Sequence, residues 1–184
     1  MPTLPMPAAI RPLLVLVWLL MPALATAKSA EEIDIEVDAA LERFRTEVGG
    51  ADEFLAKAEG VLVFPAVYKA GIGIGGEYGE GALRVGGKTV EYYSTAAASI
   101  GLQLGAQAKT VIIVFLNAEA LSRFRASSGW KAGVDGSIAV VEWGAGESLD
   151  TIEIKDPIVA FIFGNKGLMF NLSLEGSKFT KLVR

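Results

Sequence analysis

The sequence contains no cysteine and no histidine among its 184 residues. Without cysteine the chain cannot form a disulfide or use a thiolate as a nucleophile or metal ligand. Without histidine it lacks the side chain most often used for acid–base catalysis and transition-metal binding. These absences disfavour an enzyme, and we expect neither a metal nor a cofactor.

The chain also has no excess of basic residues, because its net charge is −4. Nucleic-acid-binding domains usually carry a positive field, so we expect no nucleic-acid partner. Carboxylates remain as possible catalytic groups, in particular Glu77, Glu80 and Asp135. A glycosidase needs two carboxylates converging on one bond. Glu77 and Glu80 are three residues apart and would lie on opposite faces of an extended segment, so we expect solvated turn residues instead, and we expect Asp135 in a turn with Gly136.

A single charge, Arg11, precedes an apolar run from Leu13 to Leu20. This run is shorter than the roughly 20 residues that span a bilayer. An A-x-A pattern ending at Ala27 is typical of a signal-peptidase site. The sequence therefore predicts a signal peptide over residues 1–27 and a periplasmic or secreted mature chain, residues 28–184. A retained N-terminal anchor is the alternative.

Residues 28–59 show helical patterns. Ser29 and Glu32 match a capping box, and Asp52 is placed to cap a short second helix. Asn117 is placed to cap another helix in the middle of the chain. Behind Ser29, apolar residues recur every three or four positions, at Ile33, Val37, Leu41, Phe44 and Val48.

Residues 60–184 show mainly strand patterns, broken by glycine and asparagine turns. Gly86 and Gly87 predict a hairpin turn between two of these strands. Strands and helices do not alternate regularly, which argues against a parallel α/β fold. We predict one α+β domain over residues 28–184, with a mainly antiparallel β-sheet core, N-terminal helices and one mid-chain helix.

The stretch "GIGIGGEYGEG", residues 71–81, fits the dinucleotide-binding pattern G-x-G-x-x-G. That site requires a helix starting at the motif, so that its N–H groups face the pyrophosphate. The glycines after Gly76 disfavour such a helix, and we expect no nucleotide. In a flat strand, Gly71, Gly73 and Gly75 would share one bare face. That face would allow either tight backbone packing or contact with an acyl chain.

Four blocks carry a resemblance to a known family: "EGVLVFPAVYKAGIGIGGEYGEGAL", "YYSTAAASIGLQLGAQAKTVIIVFLN", "SSGWKAGVDGSIAVV" and "IVAFIFGNKGLMFNLSLEGSKFTKL". Over roughly Ala51 to Arg184 the chain resembles the SYLF-domain family. The resemblance implies non-catalytic binding of phospholipid; fungal members of the family are actin regulators that bind a Las-type partner. Membrane-surface helices are usually basic, whereas the first helix here is acidic, so we expect it to cover the domain's own core.

Basic side chains near turns and strand ends would hold a lipid phosphate if they met at one rim. The loop "FIFGNKGLMF" would place apolar side chains beside a lysine at a bilayer. The candidate lipid-binding residues are Lys69, Arg84, Lys88, Lys109, Lys131, Phe163, Lys166 and Met169. Ordinary solvated charge and core packing are the alternative interpretations. We thus expect a phospholipid-binding protein of the bacterial envelope; the alternative is a structural or interaction protein that binds an envelope protein.

Overall fold

In a computed structural model of the chain, the described residues are 28–143, 156–167, 174 and 176–184. The predicted signal peptide and Met169 lie outside these residues. Within the described part, no helix is both long enough and apolar enough to span a bilayer.

Three helices occur among the described residues: α1 (Ala30–Glu47), α2 (Ala51–Lys57) and α3 (Ala118–Ala126). The predicted capping box of α1 is confirmed, because the Glu32 N–H donates to Ser29 Oγ at 3.2 Å and the Ser29 N–H donates to Glu32 Oε2 at 2.7 Å. The predicted cap of α3 is also confirmed. The predicted short second helix is present, but its predicted cap is wrong, because the helix starts one residue before Asp52 and its N-cap is Gly50, which has no side chain to accept a hydrogen bond.

The described strands form one sheet: β1 (Gly60–Val85), β2 (Lys88–Phe115), β3 (Trp130–Lys131), β4 (Ala139–Glu142), β5 (Ile158–Gly167) and β6 (Lys178–Leu182). The order is β3-β6-β2-β5-β4, with β1 paired to β2. Only the β4–β5 pair, among these, is parallel. The predicted α+β fold with a mainly antiparallel sheet is confirmed.

β1 and β2 form a single long hairpin. The turn residues Gly86 and Gly87 have φ angles of 57° and 79°, which side chains rarely adopt, so the predicted turn is confirmed. The sequence predicts several shorter strands in this region, whereas the structure has two strands of 26 and 28 residues.

The hairpin folds back on itself near Gly71 and Gly75. A Cβ at Gly71 would lie 2.3 Å from Gly75 Cα, whereas four residues of flat strand extend about 13 Å. The β1–β2 register also shifts between Ile72 and Ile74. The expectation of a flat strand is therefore wrong here, because glycine allows a bend that side chains would block. The bend divides β1 into a first arm, residues 60–72, and a second arm, residues 74–85.

The two arms of β1 touch backbone to backbone. A Cβ at Gly79 would lie 2.8 Å from the Ala66 carbonyl oxygen, and a Cβ at Gly81 would lie 1.9 Å from that of Val63. Of the two interpretations of the glycine-rich stretch, tight backbone packing is the one observed at Gly79 and Gly81.

One apolar core fills the space between the arms of the hairpin. The ring of Phe124 on α3 packs there against Tyr93, Phe115, Trp130 and Phe179. A second core lies on the outer face of the sheet, beneath α1. It includes Ile33, Val37, Phe44, Val63, Ile112 and Phe161. The apolar face of α1 is therefore buried against its own domain, as its acidic composition predicts.

Glu91 on β2 anchors an ion cluster at the edge of the first core. It accepts from Arg125 at 3.1 Å, from Lys181 at 2.9 Å and from the Tyr93 hydroxyl at 2.8 Å. Burial raises the pKa of Glu91, but the hydrogen bonds from Arg125, Lys181 and Tyr93 outweigh burial and lower it to about 2. Glu91 thereby joins α3 to strands β2 and β6.

Glu91→Gln should remove a pH-dependent contribution to stability. Because the folded-state pKa lies below the usual value of 4.5, the contribution is present above pH 4.5 and is lost as the pH falls towards 2. The shift would correspond to about 3 kcal/mol, which screening by solvent at this partly exposed site reduces to about 1–2 kcal/mol. Urea unfolding between pH 7 and 3 measures the effect; a difference between wild type and variant that does not shrink with acid would contradict it.

Candidate functional site

Large apolar side chains are exposed around the bend of the hairpin. Tyr68, Ile74 and Tyr78 are 60%, 73% and 50% exposed. Exposed alanines lie around them, at Ala70, Ala96, Ala98 and Ala106. We call these seven residues the apolar bend. Large exposed apolar side chains near small ones at a strand bend make this surface a candidate contact site.

The apolar bend is also free of exposed charge. The sequence has no charged residue from Ala70 to Gly76, or from Tyr92 to Ala108. Tyr78 is a neutral phenol at neutral pH, and burial and its hydrogen bond to Glu80 raise its pKa further, to about 12. A surface without charge can leave water at little electrostatic cost.

A lysine lies beside the apolar bend. In the sheet register Tyr68 pairs with Ala108, which in turn pairs with Lys166 on β5. Residues opposite one another in antiparallel strands share a face, so Lys166 lies on the same face as Tyr68. Both side chains are exposed. This arrangement places one ammonium group next to exposed apolar surface.

A buried ion cluster lies on the inner side of the same hairpin. Glu77 Oε1 is 3.2 Å from Lys69 Nζ, and Glu77 Oε2 is 2.9 Å from Lys109 Nζ. Lys69, Glu77 and Lys109 are 6%, 9% and 2% exposed. Lys69 and Lys109 come from the first arm and its β2 partner, and Glu77 from the second arm. The cluster therefore ties the two arms together near the bend.

Gln107 lies beside this cluster. It pairs directly with Lys69 in the sheet register and is only 3% exposed. Neither its side-chain nitrogen nor its side-chain oxygen has a hydrogen-bond partner among the described residues. Nor does Lys109 Nζ, whose contact with Glu77 has the distance of an ion pair but lacks hydrogen-bond alignment. Buried polar groups in folded proteins are almost always paired, so this arrangement needs an explanation.

The seven candidate residues that the structure describes do not form one rim. Lys69 and Lys109 come together, but in the interior. Arg84 lies at the other end of the second arm, where it pairs with Asp38 at 2.8 Å and Asp34 at 3.6 Å on α1. Lys88 is exposed beside the hairpin turn.

The other candidates also lie apart. Lys131 is exposed on β3, and its backbone N–H donates to Asp135 in the predicted turn. Phe163 is buried beneath α1, with its ring 5.8 Å from that of Phe44. Of the seven described candidates, Lys166 is the one that the register places as an exposed side chain on the face of Tyr68. Met169 lies outside the described residues. Lipid contact by the eight residues stays a prediction.

The carboxylates differ from expectation. Glu77 was expected to be a solvated turn residue, which is wrong, because it points into the interior between two lysines. Glu80 has its own cationic partner, Arg184, at 2.9 Å. Among the described residues, no cluster of acidic groups is arranged to hold a metal ion. The sequence analysis did not identify Gln107 as a site residue. The available signal was its spacing of two from Lys109, which places both side chains on the same face of a strand.

Part of the chain is similar to a known protein family. Residues 96–182 match the model of the Ysc84 family, described as Las17-binding protein actin regulator. This family is the one that the sequence blocks indicate, so the SYLF resemblance is confirmed over that segment. No curated protein matches the chain. The matched segment contains most of β2 and all of α3, β3, β4, β5 and β6.

Proposed function

We propose that this protein, whose residues 96–182 carry the Ysc84 (SYLF) domain, binds phospholipid surfaces without catalysing a reaction. The apolar bend makes the contact. The single observation that supports this most strongly is the exposure of Tyr68, Ile74 and Tyr78 on a stretch without exposed charge. The domain's family provides the context, because it is one of actin-regulating and lipid-binding proteins.

Burial of apolar side chains would drive the binding. Transferring one large apolar side chain from water into a lipid surface contributes about 1.5–3 kcal/mol. Lys166 would add roughly 1 kcal/mol by attraction to an anionic lipid. The net charge of −4 opposes that attraction. We therefore expect modest dependence on headgroup charge and on salt.

The helix α1 is not the lipid-binding element in this proposal. Its apolar residues Ile33, Val37 and Phe44 are buried in the domain core. Its exposed face carries acidic side chains, which anionic lipid repels. The sequence pattern ending at Ala27 supports an envelope location for the mature protein.

Ile74→Asp should weaken binding to vesicles by at least about tenfold, because it replaces about 1.5 kcal/mol of apolar transfer with a charge. Co-sedimentation with phosphatidylcholine vesicles, with and without phosphatidylglycerol, measures the effect. Val134→Asp is the matched control, since Val134 is 75% exposed but lies between β3 and β4, away from the apolar bend.

Two outcomes would overturn this proposal. The first is a wild-type protein that is not retained by either vesicle, and the second is an equal loss in Ile74→Asp and Val134→Asp. In either case the apolar bend would be assigned to the alternative, an envelope protein partner, and crosslinking of the wild type against Ile74→Asp would test that assignment.

A further inference from the structure

Gln107 and Lys109 present a surplus of buried hydrogen-bond donors. They follow β2 with a spacing of two, so both side chains project from the inner face. The Gln107 amide has two N–H donors and the Lys109 ammonium has three. The Gln107 side-chain nitrogen and oxygen have no hydrogen-bond partner among the described residues, and the Lys109 ammonium is paired with Glu77 in a contact that lacks hydrogen-bond alignment. Both side chains are at least 97% buried (3% and 2% exposed).

Among the described residues, the carboxylate in contact with this cluster is that of Glu77. Glu77 Oε2 is 2.9 Å from Lys109 Nζ, and Glu77 Oε1 is already in contact with Lys69. One carboxylate shared in this way leaves the Gln107 amide unsatisfied. A buried amide without partners costs free energy, and a chain under no other requirement would place an apolar residue there. The arrangement therefore suits a ligand that accepts hydrogen bonds.

The spacing fits a small oxyanion. Side chains two residues apart on a strand are about 6.6 Å apart at their origin. A carboxylate or phosphate group between them would accept hydrogen bonds of about 2.8 Å from each. The ammonium of Lys109 would supply the positive charge, and the hydrogen bond from the Gln107 amide would orient the bound oxyanion. A neutral acceptor would leave the Lys109 charge uncompensated by the ligand.

We propose that Gln107 and Lys109, with Glu77 beside them, form an internal binding site for one oxyanion, either a carboxylate or a phosphate group. The site lies near the bend, where Glu77 of the second arm contacts Lys69 and Lys109. Ala106 and Ala108, the strand neighbours of Gln107, project to the outer face, where Ala106 is part of the apolar bend. The site is distinct from the surface contact proposed above and does not require a membrane.

Titration of the purified full-length protein with three probes tests this site: inorganic phosphate, octanoate, and dihexanoylphosphatidic acid below its micelle concentration. Calorimetry measures affinity and thermal unfolding measures stability. We expect at least one probe to bind and to raise the unfolding midpoint. Octanoate or dihexanoylphosphatidic acid binding at least about tenfold more tightly than phosphate assigns the oxyanion to an amphiphile; equal affinities assign it to a free anion.

Gln107→Met distinguishes a ligand site from a structural ion cluster. It removes an unpaired buried amide, so without ligand the midpoint should rise by about 2–4 °C. The same change should weaken anion binding about tenfold, by removing a hydrogen bond to a charged group. Lys109→Met should abolish binding, whereas Lys57→Met at the exposed end of α2 should leave it unchanged and thereby control for general charge effects.

Two results would overturn the oxyanion site. One is a wild-type protein that none of the three probes stabilises. The other is Gln107→Met binding a probe as tightly as wild type does. Because no vesicle is used, these results leave the proposed surface contact at the apolar bend unaffected, and failure of the vesicle experiment leaves this site unaffected.

Discussion

Gly81→Ala should destabilise the protein by about 3 kcal/mol, the upper end of the usual range for overpacking. The new methyl group would lie 1.9 Å from the Val63 carbonyl oxygen and 2.8 Å from Phe64 Cδ1. The Phe64 ring could adjust, but the carbonyl is backbone within the first arm of β1. Relief therefore requires the two arms to separate, which exposes the core between them. Urea unfolding monitored by tryptophan fluorescence measures the loss.

Gly76→Ala is the matched control for this prediction. It lies on the same arm, and its added Cβ would be 3.7 Å from the Ala97 carbonyl oxygen, an ordinary contact. Alanine there also reduces the freedom of the unfolded chain, so its stability should change by no more than about 1 kcal/mol, and in the favourable direction. Equal losses from Gly76→Ala and Gly81→Ala would show that general strand flexibility, and not contact between the arms, explains the glycines.

The features of the fold that depend on neighbouring residues could be predicted from sequence. The capping box at Ser29, the cap at Asn117 and the turn at Gly86 and Gly87 each involve a few consecutive residues. Their physical causes are local, namely a side-chain acceptor for a free N–H, or a backbone conformation that glycine tolerates. The rejection of a helix after Gly76 rested on the same kind of signal, and the structure has a strand there.

The long hairpin could not be predicted in the same way. The sequence suggests breaks at glycines, because glycine usually weakens a strand. Here glycines at 79 and 81 continue the strand and allow the second arm to touch the first. These contacts join Gly79 to Ala66 and Gly81 to Val63, which are far apart in sequence. Period-two patterns identify which residues share a face, but not what lies opposite that face.

The candidate site was predicted only in part, because it also depends on the fold-back of the hairpin. Lys69 and Lys109 were recognised as basic residues near strand ends, and the structure brings them together, but inside the hairpin and against Glu77. Charged residues are so seldom buried that the sequence favours exposed positions for all three. Only the fold-back of β1 places Glu77 over the first arm. The exposure of Tyr68 and Ile74 follows from the same bend.

Glu77→Gln should cause the largest loss among the charge substitutions, about 3–5 kcal/mol, because it removes the anionic partner of a buried ion cluster. The exposed fractions of Lys69, Glu77 and Lys109 are 6%, 9% and 2%, so water would compensate little for the lost carboxylate. Denaturant unfolding of the purified variant at neutral pH measures the loss, and circular dichroism establishes whether the sheet still forms.

Glu119→Gln provides the comparison, since Glu119 pairs with Arg123 at 3.4 Å but the side chains are 77% and 70% exposed. That change should cost less than about 0.5 kcal/mol, as surface pairs on helices usually do. Losses of similar size in Glu77→Gln and Glu119→Gln would contradict the conclusion that the Glu77 ion cluster holds the two arms together.

The proposed oxyanion site leads to a second expectation for Glu77→Gln. With the carboxylate of Glu77 gone, a bound phosphate would supply a negative charge near Lys109, so phosphate should raise the unfolding midpoint of Glu77→Gln more than that of wild type.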